Sequence, residues 1–291
     1  MIRYEVSHRT TIEYRQSVSL SQQLLRLTPR TTPQQRVETS QITVHPASAG
    51  RLDHEDVFGN RCTYLTIREP HRTLSMQARS VVDVAAARTL ADELPWERAV
   101  ALARQPNGRT AADVSLFVFR SPYVDLPAAA GELVRDLFSP GRPLLDAVRA
   151  LTERIHHEFR YQGGLTDVWT PVSEVLQHRS GVCQDFAHLE IACLRLLGLP
   201  CRYVSGYLLT HPPAGQPKLV GADESHAWIS VWSPEVGWVD FDPTNAVLPG
   251  EEHVTIGWGR DYGDVSPVNG FIIGGGEHTV RVSVDVIQIP G

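Results

Sequence analysis

The sequence predicts an α+β protein, with strands at the amino terminus, helices in the middle and an antiparallel sheet after them. Two observations carry this. Residues 1–90 consist of short runs with period-2 alternation separated by turn clusters, which reads as an antiparallel, sandwich-like unit. From about Val114 to Gly198 apolar residues recur at helical spacing, and beyond Gly198 the strand alternation returns.

The first unit starts with Ile2–His8 and Thr10–Tyr14 on either side of a turn-like Arg9. Leu24–Thr28, Val37–Val44, Cys62–Ile67 and Leu74–Val84 follow, divided by Thr28–Pro33, Pro46–Gly50 and Phe58–Arg61. Residues 91–140 read as a helical connection, because Ala85 to about Asn107 is rich in Ala, Leu and Arg before Gly108 breaks the pattern. Residues 141–291 form the second unit, its final strand included. There, Leu144, Val148, Leu151, Ile155 and Phe159 share one helix face, and Pro171–His178 is a shorter helix. A helix opening near Cys183 is apolar on most sides (Phe186, Leu189, Ile191, Leu194), so it is expected to be buried nearly all round. Gly198 and Pro200 stop it. Arg202–Leu209, Ala227–Trp232, Trp238–Phe241 and His278–Ile289 are strands, and His211–Pro217 is a Pro/Gly-rich loop.

Composition excludes several classes. The chain of 291 residues is 42% hydrophobic and 21% charged, ordinary for a globular protein, with a net charge of −6. Lys and Arg are scattered, so neither a nucleic-acid face nor a polybasic membrane surface is expected. The start lacks the apolar core of a signal peptide, and no apolar run is long enough to span a bilayer, which makes the cytoplasm the expected location. None of the four cysteines, Cys62, Cys183, Cys193 and Cys201, forms a C-x-x-C pair, and the chain is too large to need disulfide staples; Cys193 and Cys201 read as small buried hydrophobes. His157, His178, His211 and His253 read as surface residues, and His188 as a satisfied buried histidine. His178, Cys183 and His188 lie five apart, the wrong spacing for ligands on one helix face, so neither metal nor cofactor is expected.

Cys183 is the candidate nucleophile. It sits where a loop becomes a helix, and the unpaired N–H groups and positive dipole end there favour a thiolate. Its own N–H is a candidate oxyanion donor. Trp232–Trp238 is the turn of a hairpin, so His226 falls almost opposite Asp242, and their parity places both on one face. His226 then serves as base and Asp242 as the group that orients it. Asp240 shares that parity; the strand end at Pro243 favours Asp242.

Gly181-Val-Cys-Gln-Asp-Phe-Ala-His188, Arg202-Tyr-Val-Ser-Gly-Tyr207, Ser225-His-Ala-Trp228 and Trp238-Val-Asp-Phe-Asp-Pro-Thr244 resemble bacterial transglutaminase-like proteins, with a close match over about residues 145–246. The first 90 residues resemble the β-rich N-terminal domain of that family. The resemblance implies a papain-like core with a Cys–His–Asp triad on Cys183, His226 and Asp242. It also implies amide-bond chemistry, often hydrolytic in prokaryotes, on a peptide or small amide. Gln184 stands where the animal enzymes have Trp, and their calcium-binding domains are not visible, so hydrolysis is the first expectation and transfer to an amine the alternative. By the same analogy Tyr161 or a neighbour lines the oxyanion side. A non-catalytic binding scaffold is the rival of a different class; it would have no need of all three residue types.

Overall fold

A computed structural model describes residues 1–87, 93–105, 114–211 and 224–290. Alternation decides the first unit. Strand β1 (Ile2–Leu25) buries Tyr4, Val6, His8, Thr10, Ile12 and Tyr14 in turn. The expected turn at Arg9 is absent. Arg9 lies on the exposed side of a continuous strand, paired with Gln77 on one flank and Ser283 on the other.

Two neighbours thus flank β1 along its length. Its first half pairs with β5 (His71–Val84) and β13 (His278–Gln288), its second half with β4 (Arg61–Ile67) and β12 (Val268–Gly274). β2 (Gln35–His45) extends this sheet beyond β5, and β3 (Gly50–Glu55) beyond β4. The register shifts near Val18, where β1 exchanges partners. The two halves close over one core of Ile12, Val18, Leu25, Ile42, Leu65, Leu74 and Met76, which gives the expected sandwich-like packing.

The carboxyl-terminal strand differs from the expectation. Residues 268–288 join the amino-terminal sheet rather than the second unit, so a boundary that assigns 141–291 to one domain is corrected. The physical reason lies in burial. Val284 and Val286 pack with Tyr4 and Val6 against Tyr207, Val254 and Ile256, an apolar joint between the two units. The connection also differs: α1 (Trp96–Ala103) and a 3-10 turn at Ala128–Leu133 are its regular elements among the described residues. Residues 88–92 and 106–113, and most of the 211–217 loop, lie outside them.

The helices of the second unit and its strands up to Phe241 follow the pattern read from the sequence, whereas the strand at His253–Gly259 and the helix at Tyr262–Val265 do not appear in that reading. The unit comprises α2 (Leu144–Glu158), β6 (Arg160–Tyr161), α3 (Val172–His178), β7 (Ser180–Gly181) and α4 (Cys183–Leu196). Then come β8 (Cys201–Leu208), β9 (Glu224–Ser233), β10 (Gly237–Phe241), β11 (His253–Gly259) and α5 (Tyr262–Val265). The sheet runs β10-β9-β8-β11, all antiparallel, and α4 packs on β9 and β8. Every residue from Asp185 to Arg195 is buried. Truncating Leu189, Ile191 or Leu194 to Ala is expected to cost about 2–5 kcal/mol each. Helices stacked on an antiparallel sheet make this an α+β core.

Candidate active site

The loop before α4 is built to present Cys183. α3 ends at Arg179 in a left-handed conformation (φ 48°), β7 pairs with β6, and Val182 caps α4 with Cys183 as its first helical residue. Asp185 secures this start: its Oδ2 accepts the Val182 N–H at 2.8 Å and the Thr166 hydroxyl at 2.7 Å. Gly181 is required, since a Cβ there would lie 2.7 Å from both Cβ and Oδ2 of Asp185. The N–H of a first helical residue has no acceptor in its own helix, so that of Cys183 is available to an oxyanion. Cys183 is partly exposed, whereas Cys62, Cys193 and Cys201 are buried, and burial pushes those three thiols up.

The hairpin supplies the other two groups. β10 pairs with β9 so that Trp238 faces Trp232 and Asp240 faces Ser230. His226 pairs with Gly206 on β8, where a Cβ would come within 2.3 Å of the Trp228 indole. His226 Nε2 lies 2.8 Å from Asp242 Oδ2, and both residues are buried. An ionised carboxylate only accepts, so Nε2 carries the proton and Nδ1 remains for the thiol. Burial opposes the imidazolium. Hydrogen bonds to Asp242 and to Cys183, with their charges, outweigh it and push the His226 pKa up to about 10.

Asp242 is held by its own turn. The Thr244 and Asn245 N–H groups donate to Oδ1 at 2.9 and 3.2 Å, the turn that an Asp before Pro favours. Oδ2 accepts from Asn245 Nδ2 at 2.7 Å, besides His226. His156 on α2 holds the same turn through the Thr244 carbonyl at 2.7 Å. Burial opposes ionisation, but the His226, His253 and Asn245 bonds hold the carboxyl well below the usual range.

His253 is the residue that sequence reasoning misplaced. It is buried on β11, and its Nε2 lies 3.2 Å from Asp242 Oδ2. The alternating run Val254-Thr-Ile-Gly-Trp258 was the available signal for this strand. The other candidates separate cleanly. Asp240 accepts the Trp228 Nε1–H at 3.1 Å, so Asp242 is the carboxylate at the imidazole. His188 accepts the Tyr262 N–H at 3.2 Å; burial and then the Arg195 charge lower its pKa to about 3, as fits a neutral buried ring. His157, His178 and His211 are exposed. Tyr161 is half exposed on β6, paired with Gly181, and its ring lies 6.4 Å from Phe186.

Ligating atoms of His226, Asp242 and His253 lie within 4.8 Å of one another, which is a donor set a metal could use. Both imidazoles, however, direct Nε2 at one oxygen at hydrogen-bond distances. Each ring nitrogen can donate to that oxygen, so as they stand the three groups form a hydrogen-bonded network.

Residues 4–83 match the bacterial transglutaminase-like N-terminal region and residues 131–243 the transglutaminase-like superfamily. An uncharacterised protein of Mycobacterium tuberculosis (strain H37Rv) is 41% identical over 299 residues, covering 99% of this chain and 94% of that one. The protein-glutamine gamma-glutamyltransferase of Pseudomonas aeruginosa is 37% identical over 112 residues, 35% of this chain and 16% of that one. A crystal structure of a candidate cysteine protease from Cytophaga hutchinsonii superposes with a TM-score of 0.77 at 22% identity, over 100% of this chain and 91% of that one. Fold and matched regions together define the class, a transglutaminase-like core joined to a β-sandwich-like unit. The chain belongs to the transglutaminase-like superfamily. No helix among the described residues is long and apolar enough to cross a membrane.

Proposed function

We propose that the protein is a cysteine-nucleophile amide hydrolase with Cys183 as nucleophile, His226 as acid–base and Asp242 as the group that orients His226. The observation that carries this reading is the buried His226 ring, hydrogen-bonded through Nε2 to Asp242 at 2.8 Å, which leaves Nδ1 for the Cys183 thiol at the start of α4. In the first step the Cys183 sulfur bonds to the carbonyl carbon and the C–N bond breaks, with His226 passing its proton to the departing amine. The Cys183 N–H faces the oxyanion. Water, deprotonated by His226, then cleaves the thioester and returns the thiol.

The substrate is a peptide or a small amide. Gln184 Nε2 holds the Val168 carbonyl at 3.3 Å, which sets the exposed Leu165, Val168 and Trp169 beside the start of α4 as an apolar wall for a substrate side chain. A second reading replaces water by an amine. The similarity to a Pseudomonas aeruginosa glutamyltransferase favours it.

A screen of peptide, γ-glutamyl and isopeptide amides, with and without an added primary amine and with products identified, tests both. Free acid as the product supports hydrolysis, and a new amide supports transfer. Cys183→Ala should abolish turnover, and Cys183→Ala/His226→Ala should cost little more than either change alone, because the pair acts in one step. A binding scaffold would show no Cys183-dependent turnover of any amide.

A further inference from the structure

A cavity of about 490 Å³ lies in the joint between the two units, with Trp228 and His253 in its lining. One wall is Thr32–Gln35 and Val84–Ala87; the other includes Arg202, Trp238, Asp240, Leu248 and Trp258. Arg202 is its notable member. It is 8% exposed, and its guanidinium carbon sits 4.3 Å from the Trp238 ring centroid and 3.7 Å from that of Trp258.

Stacking between two indoles occupies the faces of the guanidinium and leaves its N–H edges to be satisfied. Its buried Nε has no hydrogen-bond partner, and Asp240 acts on it through charge without a hydrogen bond. The neighbouring Arg30 also lies over Trp258 but is engaged, donating to the Phe58 carbonyl at 2.9 Å and Asn60 Oδ1 at 2.7 Å. A buried cation with unclaimed donors, facing a cavity with an aromatic lining, is the recognition chemistry of an anion attached to an apolar body.

We propose that this cavity is a second ligand site for a small organic monocarboxylate, with its carboxylate on Arg202 and its aromatic or aliphatic body against Trp238 and Leu248. A carboxylate matches the planar fork that a stacked guanidinium presents. A phosphate dianion does not, because among the described residues Arg202 is the only Lys or Arg of the lining and Asp240 shares it. The site is separate from Cys183, so it stands whether or not the amide chemistry does.

The test uses the intact protein and three probes: phenylacetate, its neutral analogue phenethyl alcohol, and phenyl phosphate. Binding is followed by calorimetry and by the fluorescence of the tryptophans in the lining. Phenylacetate should bind saturably and about tenfold or more tighter than the alcohol, the discrimination expected of one charged hydrogen-bonding partner. Arg202→Met should abolish that preference. Ala86→Trp, a change at an exposed rim residue that leaves the fold's interior untouched, should weaken phenylacetate by a similar factor. No saturable binding to the wild-type protein, equal affinity for the alcohol, tighter binding of phenyl phosphate, or full affinity in Ala86→Trp would each overturn the assignment.

Discussion

Replacing Asp242 by Asn removes one charge and almost no volume, and the structure says what that does. The carboxylate accepts from His226, His253 and Asn245 on Oδ2, and from two backbone N–H groups on Oδ1. An amide accepts on one side only. With its oxygen toward the imidazoles its NH2 meets the Thr244 and Asn245 N–H groups; turned over, it meets both Nε2 atoms. Either way at least two donors lose their acceptor, part-buried N–H groups in the first case and buried ring nitrogens in the second, at about 1–3 kcal/mol for each buried one. Asp242→Asn should therefore lose about 3–5 kcal/mol of stability, the range for breaking a buried ion pair. A globular domain with about 5–15 kcal/mol in hand survives that, so urea unfolding followed by circular dichroism can measure it. The same change removes a charged hydrogen bond from His226, and alkylation of Cys183 at neutral pH should slow roughly ten- to a hundredfold. A variant within about 1 kcal/mol of wild type that alkylates at the wild-type rate would refute the reasoning.

Other outcomes follow from the same network. His253→Ala should leave Asp242 and His226 in contact but remove one of the donors that depress the carboxyl, so activity should fall less than in Asp242→Asn, as steady-state kinetics on the same amide would reveal. Gly181→Ala forces a Cβ to within 2.7 Å of Asp185, and should slow Cys183 alkylation while far-ultraviolet circular dichroism stays native. The pair also sets a pH dependence. The His226 pKa is raised from 6.5 to about 10, so its stabilisation is complete below pH 6.5 and is lost as pH rises toward 10. That of Asp242, whose pKa is depressed from 3.8, is present above pH 3.8 and lost on acidification. Urea midpoints of the wild type should fall between pH 6.5 and about 10, and those of His226→Gln should not.

Local patterns made the place of Cys183 and the His226–Asp242 contact readable. The helix opening at Cys183 announces itself through the apolar run after it, and the turn around Glu235 places His226 and Asp242 on one face by parity alone. The register is two residues out from the simplest estimate: Phe241 faces Ile229, so Asp242 lies opposite Trp228 and reaches His226 diagonally. Parity survives such a slip, so the two side chains still meet. What was hidden depends on pairing between distant segments. His253 reaches Asp242 because β11 joins β8, and no local periodicity states which strand a strand will join. The carboxyl-terminal strand joins β1, near the other end of the chain, for the same reason. Arg9 looked like a turn because it is charged between two apolar alternations, yet in a long half-buried strand a charged residue on the solvent face costs nothing.

The central claim is that Cys183 reacts as a nucleophile with the help of His226, and timed alkylation tests this directly. The protein is treated with iodoacetamide at mildly acidic pH, where an ordinary thiol with a pKa near about 8.5 is almost wholly protonated, and each cysteine is followed by peptide mapping. Cys183 should label rapidly and to completion while the buried Cys62, Cys193 and Cys201 remain unmodified, and His226→Ala should abolish that rapid labelling. Labelling of Cys183 no faster than that of an unstructured cysteine peptide, or at a rate unchanged in His226→Ala, would contradict the account.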